Sequence, residues 1–152
     1  MTHWCVTTSP DNLARSAALG WTVQGIKSRR RPTAEAMREG DTITYYVTKV
    51  AAFAAVVEVT GPCYEDHEPV WTSKPGEGYP WRVPIRPDVV LEDEATWLPA
   101  VELHADLEHT QKWPAAHWRL GFQGNIREWP AHDHALVREA LQRAAVAAAG
   151  AG

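Results

Sequence analysis

Hydrophobic positions along the chain change their period several times, and each change marks an element. Trp4 to Thr8 reads as a strand. Ser9 then stands as a helix N-cap with Pro10 at the first helical position, and apolar residues recur at helical spacing until Gly20. Trp21 to Ile26 can form a second strand. Lys27, Arg29, Arg30, Arg31 and Pro32 then interrupt regular pairing before a short helix expected over Ala34 to Arg38 and a turn at Gly40 and Asp41. From Thr42 to Thr48, Ile43, Tyr45 and Val47 alternate with Thr44, Tyr46 and Thr48, the period-two pattern of a half-buried strand. Ala51 to Thr60 continues as a longer apolar strand, and the short connection between the two predicts an antiparallel hairpin.

Gly61 to Pro80 reads as a loop around an isolated Trp71, and loops of this length are usually functional or disordered. Trp81, Val83 and Ile85 alternate with Arg82, Pro84 and Arg86, which suggests an edge strand because Pro84 cannot donate to a ladder. A short helix is expected near Trp97 to Leu103, then an irregular stretch through Trp113 and Trp118, then a closing helix over Pro130 to Ala149 that frays into an Ala/Gly tail. Strands in the middle with helices at both ends imply an α+β domain, a curled β-sheet or barrel of about five to six strands flanked by helices. Residues 1–145 read as one domain and 146–152 as the tail.

A chain of 152 residues suits a single core. No apolar run approaches the ~20 residues of a membrane span, and the N-terminus lacks the apolar stretch of a secretory signal. Cys5 and Cys63 form no closely spaced pair, so a reduced cytoplasm is expected. The net charge of -4 argues against indiscriminate coating of nucleic acid. The basic residues nevertheless concentrate at Lys27, Arg29, Arg30 and Arg31. Eight tryptophans against two phenylalanines exceed what a core of this size needs, so some should face a ligand.

Catalytic signatures are missing: there is no Gly-rich phosphate loop, nucleophile elbow or paired-histidine metal motif. His132, Asp133 and His134 are adjacent and point in different directions, so no metal is expected there. His104, His109 and His117 lack a nucleophile or orienting carboxylate at a recognisable spacing and read as surface or capping residues. Glu65 to Glu68 reads as a solvated turn, and Cys5 as an inert buried thiol. Trp4, Trp81, Trp97, Trp113, Trp118 and Trp129 read as packing residues. What remains is a possible pocket of Ser9 and Asn12 after the first strand, Trp21 or Gln24 on the second, and Trp71 in the long loop. Indole faces stack on a flat heterocycle while short polar side chains read its edge, and Lys27, Arg29, Arg30 and Arg31 would grip phosphates.

In this order, "TTSPDN", "REGDTITYYV", "AAVVEVTGPCYED", "YPWRVPIRP" and "GFQGNIREWPAHD" resemble the EVE domain, a branch of the PUA-like superfamily related to YTH and ASCH domains. The resemblance covers nearly the whole chain and implies a PUA-like barrel that accepts a flipped base into an aromatic cage. It implies no cofactor. The implied partner is DNA or RNA containing a modified base, such as 5-methylcytosine, with a monomer as the simplest state. By position Ser9 and Asn12 match the polar base-edge residues and Trp71 a cage tryptophan. The chain departs at Gln24, where relatives often carry Trp before a Gly-aliphatic pair, and Trp21 is the alternative second wall. Two rival readings are an ASCH-like hydrolase or nuclease using Lys27 or His117, and a protein-interaction module using exposed tryptophans as anchors.

Overall fold

The computed structural model describes residues 1–124 and 126–151; Gly152, the end of the expected tail, lies outside them. Strand β1 (His3–Thr8) runs directly into helix α1 (Pro10–Ala18). Ser9 has extended backbone and its Oγ accepts from the Asn12 N–H at 3.1 Å, while Asp11 in the first turn complements the helix dipole. Gly20 and Trp21 both take positive φ, 72° and 57°, and turn the chain into β2 (Val23–Ile26). The second strand therefore begins at Val23, and Trp21 stands outside it.

The basic segment is helical and not irregular. A 3-10 turn at Ser28–Arg30 runs into helix α2 (Arg31–Ala36), with Pro32 in the first turn, where a missing N–H costs nothing. The expected helix over Ala34 to Arg38 is thus displaced towards the N-terminus. Strands β3 (Thr42–Val47) and β4 (Ala52–Val59) form the antiparallel hairpin that their alternation predicts.

Short β5 (Tyr64–Glu65), long β6 (Trp81–Val90), β7 (Leu98–Pro99) and β8 (Ile126–Glu128) complete the sheet. Its order is β2-β6-β4-β3-β1-β8, with β5 on β6 and β7 on β4. β1 pairs β3 in parallel, and the remaining ladders are antiparallel. The chain is an α+β fold on a curled mixed sheet.

Contrary to the edge assignment, β6 is central. Trp81 to Pro84 pair with β2, and from Ile85 onward the strand pairs with β4. Pro84 is tolerated because it sits where one neighbour hands over to the other, and its carbonyl accepts from the Thr60 N–H at 2.9 Å. Pro87 falls at a register irregularity between Val56 and Val57. The expected helix from Trp97 to Leu103 is replaced by β7 and 3-10 turns, since Pro99 would remove a donor from its middle.

Two cores flank the sheet. Trp4, Val6, Ile43, Tyr45, Val47, Val57 and Val59 fill the inside of the curl. Cys5, Tyr46, Phe53, Val56, Phe122 and Trp129 face Val137 and Leu141 of the closing helix α3 (Ala131–Ala151). Every residue of β3 is buried, so the face carrying Thr44 and Tyr46 is covered and not solvated. Trp4, Trp118 and Trp129 are buried, and Trp81, Trp97 and Trp113 half-buried. Among the described residues no helix is long and apolar enough to cross a membrane.

Candidate functional site

A cavity of about 450 Å³ opens where β1 meets α1. Thr8, Ser9 and Asn12 line it from that corner, Gln24 and Lys27 from β2 and its end, Arg29 from the 3-10 turn, and Trp71, Thr72 and Tyr79 from the long loop. The loop is held there by one face of α1, on which residues 11, 12, 15 and 16 recur at helical spacing. The Asn12 amide donates to the Thr72 carbonyl at 3.1 Å and accepts from the Thr72 N–H at 2.7 Å. The Thr72 hydroxyl donates to Asp11 at 2.8 Å, and Arg15 donates to the Val70 carbonyl at 2.9 Å. The Thr72 hydroxyl, together with Arg15, holds the Asp11 carboxyl below its ordinary pKa.

Between these anchors the Trp71 indole N–H donates to Ser16 Oγ at 3.0 Å. The ring lies on the β2 backbone at Gly25, where a Cβ would fall 2.3 Å from its Cζ3. Tyr79 meets the ring edge-on with centroids 5.8 Å apart, and the Arg82 guanidinium lies 4.9 Å from the ring centroid. Arg82 is itself fixed by donating to the Tyr79 and Glu68 carbonyls at 2.7 and 2.5 Å. Trp71 is 8% exposed and lines this cavity as well as a second one beside Tyr79 and Arg82.

Gln24 supplies a polar wall. Its Oε1 accepts from the Tyr45 hydroxyl at 2.6 Å and its Nε2 donates to the Gly25 carbonyl at 2.8 Å. Burial pushes the Tyr45 hydroxyl pKa well up, so it remains a protonated donor.

Ser9, Asn12, Gln24, Trp71, Lys27 and Arg29 therefore share one cavity, and Trp21 does not. The left-handed turn at Gly20 and Trp21 sends that indole behind the wall, against Tyr45 at 5.4 Å, in a groove with Leu13 and Trp97. Asn12 spends its Oδ1 and one of its two Nδ2–H groups on Thr72, so it also fastens the loop. Of the basic residues, Lys27 and Arg29 share Glu77, each at 3.9 Å. Arg30 donates to the Ile126 carbonyl at 3.2 Å, and Arg31 pairs with Glu35 and lies 4.6 Å from the centroid of Trp81. Neither lines the cavity, because the helical turn directs them to other neighbours. Tyr79 and Thr72 carry no periodic signal in the sequence, and Tyr45 shows there only as a core position.

Glu108, His132 and Asp133 lie close enough to hold a metal ion. The two carboxylate oxygens of buried Asp133, however, accept from the Glu108 and His109 N–H groups at 2.8 Å each, which makes the residue a cap. His104 stacks on Trp118, buried His109 donates to the Gly121 carbonyl at 2.7 Å, and His117 is exposed. None of the three lines the cavity beside Lys27.

The sheet order and this corner cavity define the class as an α+β fold on a curled mixed sheet. The YTH domain of Zygosaccharomyces rouxii MRB1 in complex with N6-methyladenosine RNA is similar, with TM-score 0.64, 15% identity, and 92% of this chain and 86% of that chain covered. Human THYN1 in complex with 5-methylcytosine-containing DNA is similar at TM-score 0.60 and 16% identity, covering 93% and 98%. A UPF0310 protein of Pyrococcus abyssi is 26% identical over 151 residues, 93% of this chain and 100% of that protein. The EVE domain model matches residues 2–140. The chain belongs to the EVE family.

Proposed function

We propose that this chain is a non-catalytic reader of a modified base in DNA or RNA, which enters the corner cavity flipped out of its stack. The observation that carries the reading is the cavity itself: an aromatic wall of Trp71 and Tyr79, hydroxyl and amide groups beside it, and Lys27 and Arg29 at the mouth. Extruding a base costs a few kcal/mol, and stacking on an aromatic ring returns ~1 to 3 kcal/mol, so a modification that adds contact tips a close balance. Ser9 Oγ accepts from the Asn12 N–H and retains its proton to donate to a base edge. Asn12 contributes by holding the loop that carries Trp71. The relatives give further support, since human THYN1 and the YTH domain carry methylated nucleic acid on the same fold. The chain acts as a monomer in the cytoplasm under this reading.

Fluorescence anisotropy with oligonucleotides carrying cytosine, 5-methylcytosine, adenine or N6-methyladenine at one position tests it. A modified base should bind tighter than its plain counterpart, and Trp71→Ala should weaken that binding at least about tenfold. Affinity should also fall as salt rises, shallowly, because among the described residues Lys27 and Arg29 are the cations that line the cavity. Undetectable binding to every modified probe would defeat the proposal.

A further inference from the structure

Helix α1 carries a second stripe beside the one that fastens the loop. Pro10, Leu13, Ala14 and Ala17 recur at the i, i+3, i+4, i+7 spacing of one helix face. Leu13 is buried, but Ala14 and Ala17 are exposed, so that face is only partly covered. It lines a cavity of about 260 Å³ whose other walls include Trp21, Trp97 and the end of β6 at Val90 and Leu91. Both indoles are held in place. Trp21 packs against Tyr45 from its left-handed turn, and the Trp97 ring N–H donates to the Leu91 carbonyl at 2.7 Å. Walls fixed in advance have little freedom left to lose when something binds.

Val90, Leu91 and Glu92 also line a larger cavity of about 630 Å³, which Ala145, Ala148 and Ala149 of α3 bound on the other side. The two cavities adjoin along those shared residues as one apolar trough. Glu92 stands exposed at the junction, and its carboxylate makes no hydrogen bond or ion pair among the described residues. Asp93 adds a second exposed carboxylate to the larger cavity, with its Oδ1 accepting from the Ala95 N–H at 3.0 Å. Among the described residues no Lys or Arg lines either cavity. Phosphates would meet only negative charge here, so this face does not suit a nucleic acid. The smaller cavity also falls below the ~300 to 1,000 Å³ of small-molecule sites and suits one large side chain.

We propose that this trough docks a basic amphipathic peptide segment of another protein, with a bulky apolar side chain against Trp21 and Trp97 and a neighbouring Lys or Arg paired with Glu92. The site does not rest on the base reader. Asn12 and Ser16 of α1 line the corner cavity while Leu13, Ala14 and Ala17 line the trough, so one helix serves both.

Three labelled synthetic peptides of equal length test the assignment by fluorescence anisotropy: one of Leu and Lys at helical spacing, one with every Lys replaced by Glu, and one with every Leu replaced by Ser. The Leu/Lys peptide should bind, and the other two should bind at least about tenfold more weakly, since each lacks one of the two features the trough presents. In N–H correlation spectra the indole signals of Trp21 and Trp97 should shift on adding the Leu/Lys peptide, and that of Trp71 should not. Ala14→Arg, at an exposed helix position, fills the trough and should weaken the Leu/Lys peptide at least about tenfold. Glu92→Lys should weaken it at least about threefold and strengthen the Leu/Glu peptide. Circular dichroism melting checks that each variant is folded. Absence of binding by the Leu/Lys peptide, equal binding of all three peptides, or Leu/Lys binding unchanged in both variants overturns the proposal. Light scattering of the chain without peptide addresses the other occupant: a dimer that Ala14→Arg dissociates would give the trough to a second copy and overturn the peptide assignment.

Discussion

Gly25 and Trp71 show how a site is set by one missing atom. The indole reaches the β2 backbone because position 25 has no Cβ, and an added one would sit 2.3 Å from Cζ3 and 2.5 Å from Cε3 of the ring. Those are backbone-anchored clashes, so the ring must leave its place and give up its hydrogen bond to Ser16. Gly25→Ala should therefore destabilise by ~1 to 3 kcal/mol in urea titration, as overpacked sites do, and should weaken ligand binding together with stability. Gly78→Ala is the matched control, since nothing lies within 4 Å of its Cβ position, and its midpoint should not move. The residues of this contact are 46 positions apart, and no local periodicity links them. That is why Trp71 stood out in the sequence by its loop setting, and the reason for its placement did not. Trp21 illustrates the converse: an aromatic in strand-like surroundings was open to either role, and a positive φ, which local pattern does not reveal, sent it behind Tyr45.

At the scale of elements, helix α1 does two jobs with two faces. Leu13 enters the core, while Asp11, Asn12, Arg15 and Ser16 fasten residues 70–72 of the long loop. Asn12→Ala removes both bonds to Thr72, each worth ~1 kcal/mol net, so opening of the loop should become roughly 5- to 30-fold more frequent. Hydrogen exchange checks this: amides from Val70 to Tyr79 should exchange faster by that factor, while β3 and β4 keep their protection. Equal protection in both proteins would show that Asn12 is not the fastener. Ser9→Ala acts differently, costing about 1 kcal/mol through the lost N-cap and loosening the start of α1 itself. The cap, α1 and the β3–β4 hairpin were legible because each is written in neighbouring residues. The central place of β6 and the existence of β8 were not, because both depend on which strands lie alongside, and Pro84 misled by being read without its neighbours.

For the whole molecule, the first strand and the start of the closing helix meet through a pair of histidines. His3 of β1 and His134 of α3 stack with ring centroids 4.3 Å apart and planes 13° from parallel. Thr42 Oγ1 lies between them, 2.7 Å from His3 Nδ1 and 3.3 Å from His134 Nδ1. Burial first, then His3 and Arg138, pushes the His134 pKa down to about 4, and burial with the N-terminal amine lowers that of His3. An unfolded histidine titrates near 6.5, so between pH 6.5 and about 4 the unfolded chain holds a proton on His134 that the folded chain lacks. Stability from this site is complete above pH 6.5 and declines as pH falls through that window. His132 opposes it, because Asp133 raises its pKa and favours the folded state on acidification. The useful quantity is therefore a difference: urea midpoints at pH 7.5 and pH 5 for the native chain and for His134→Gln. The native chain should lose more of its midpoint on acidification than the variant, and equal losses would mean that His134 titrates as a free imidazole does. Neither His3 nor His134 lines the cavity, so ligand binding at pH 5 should weaken in step with the folded fraction and recover when the buffer is returned to pH 7.5.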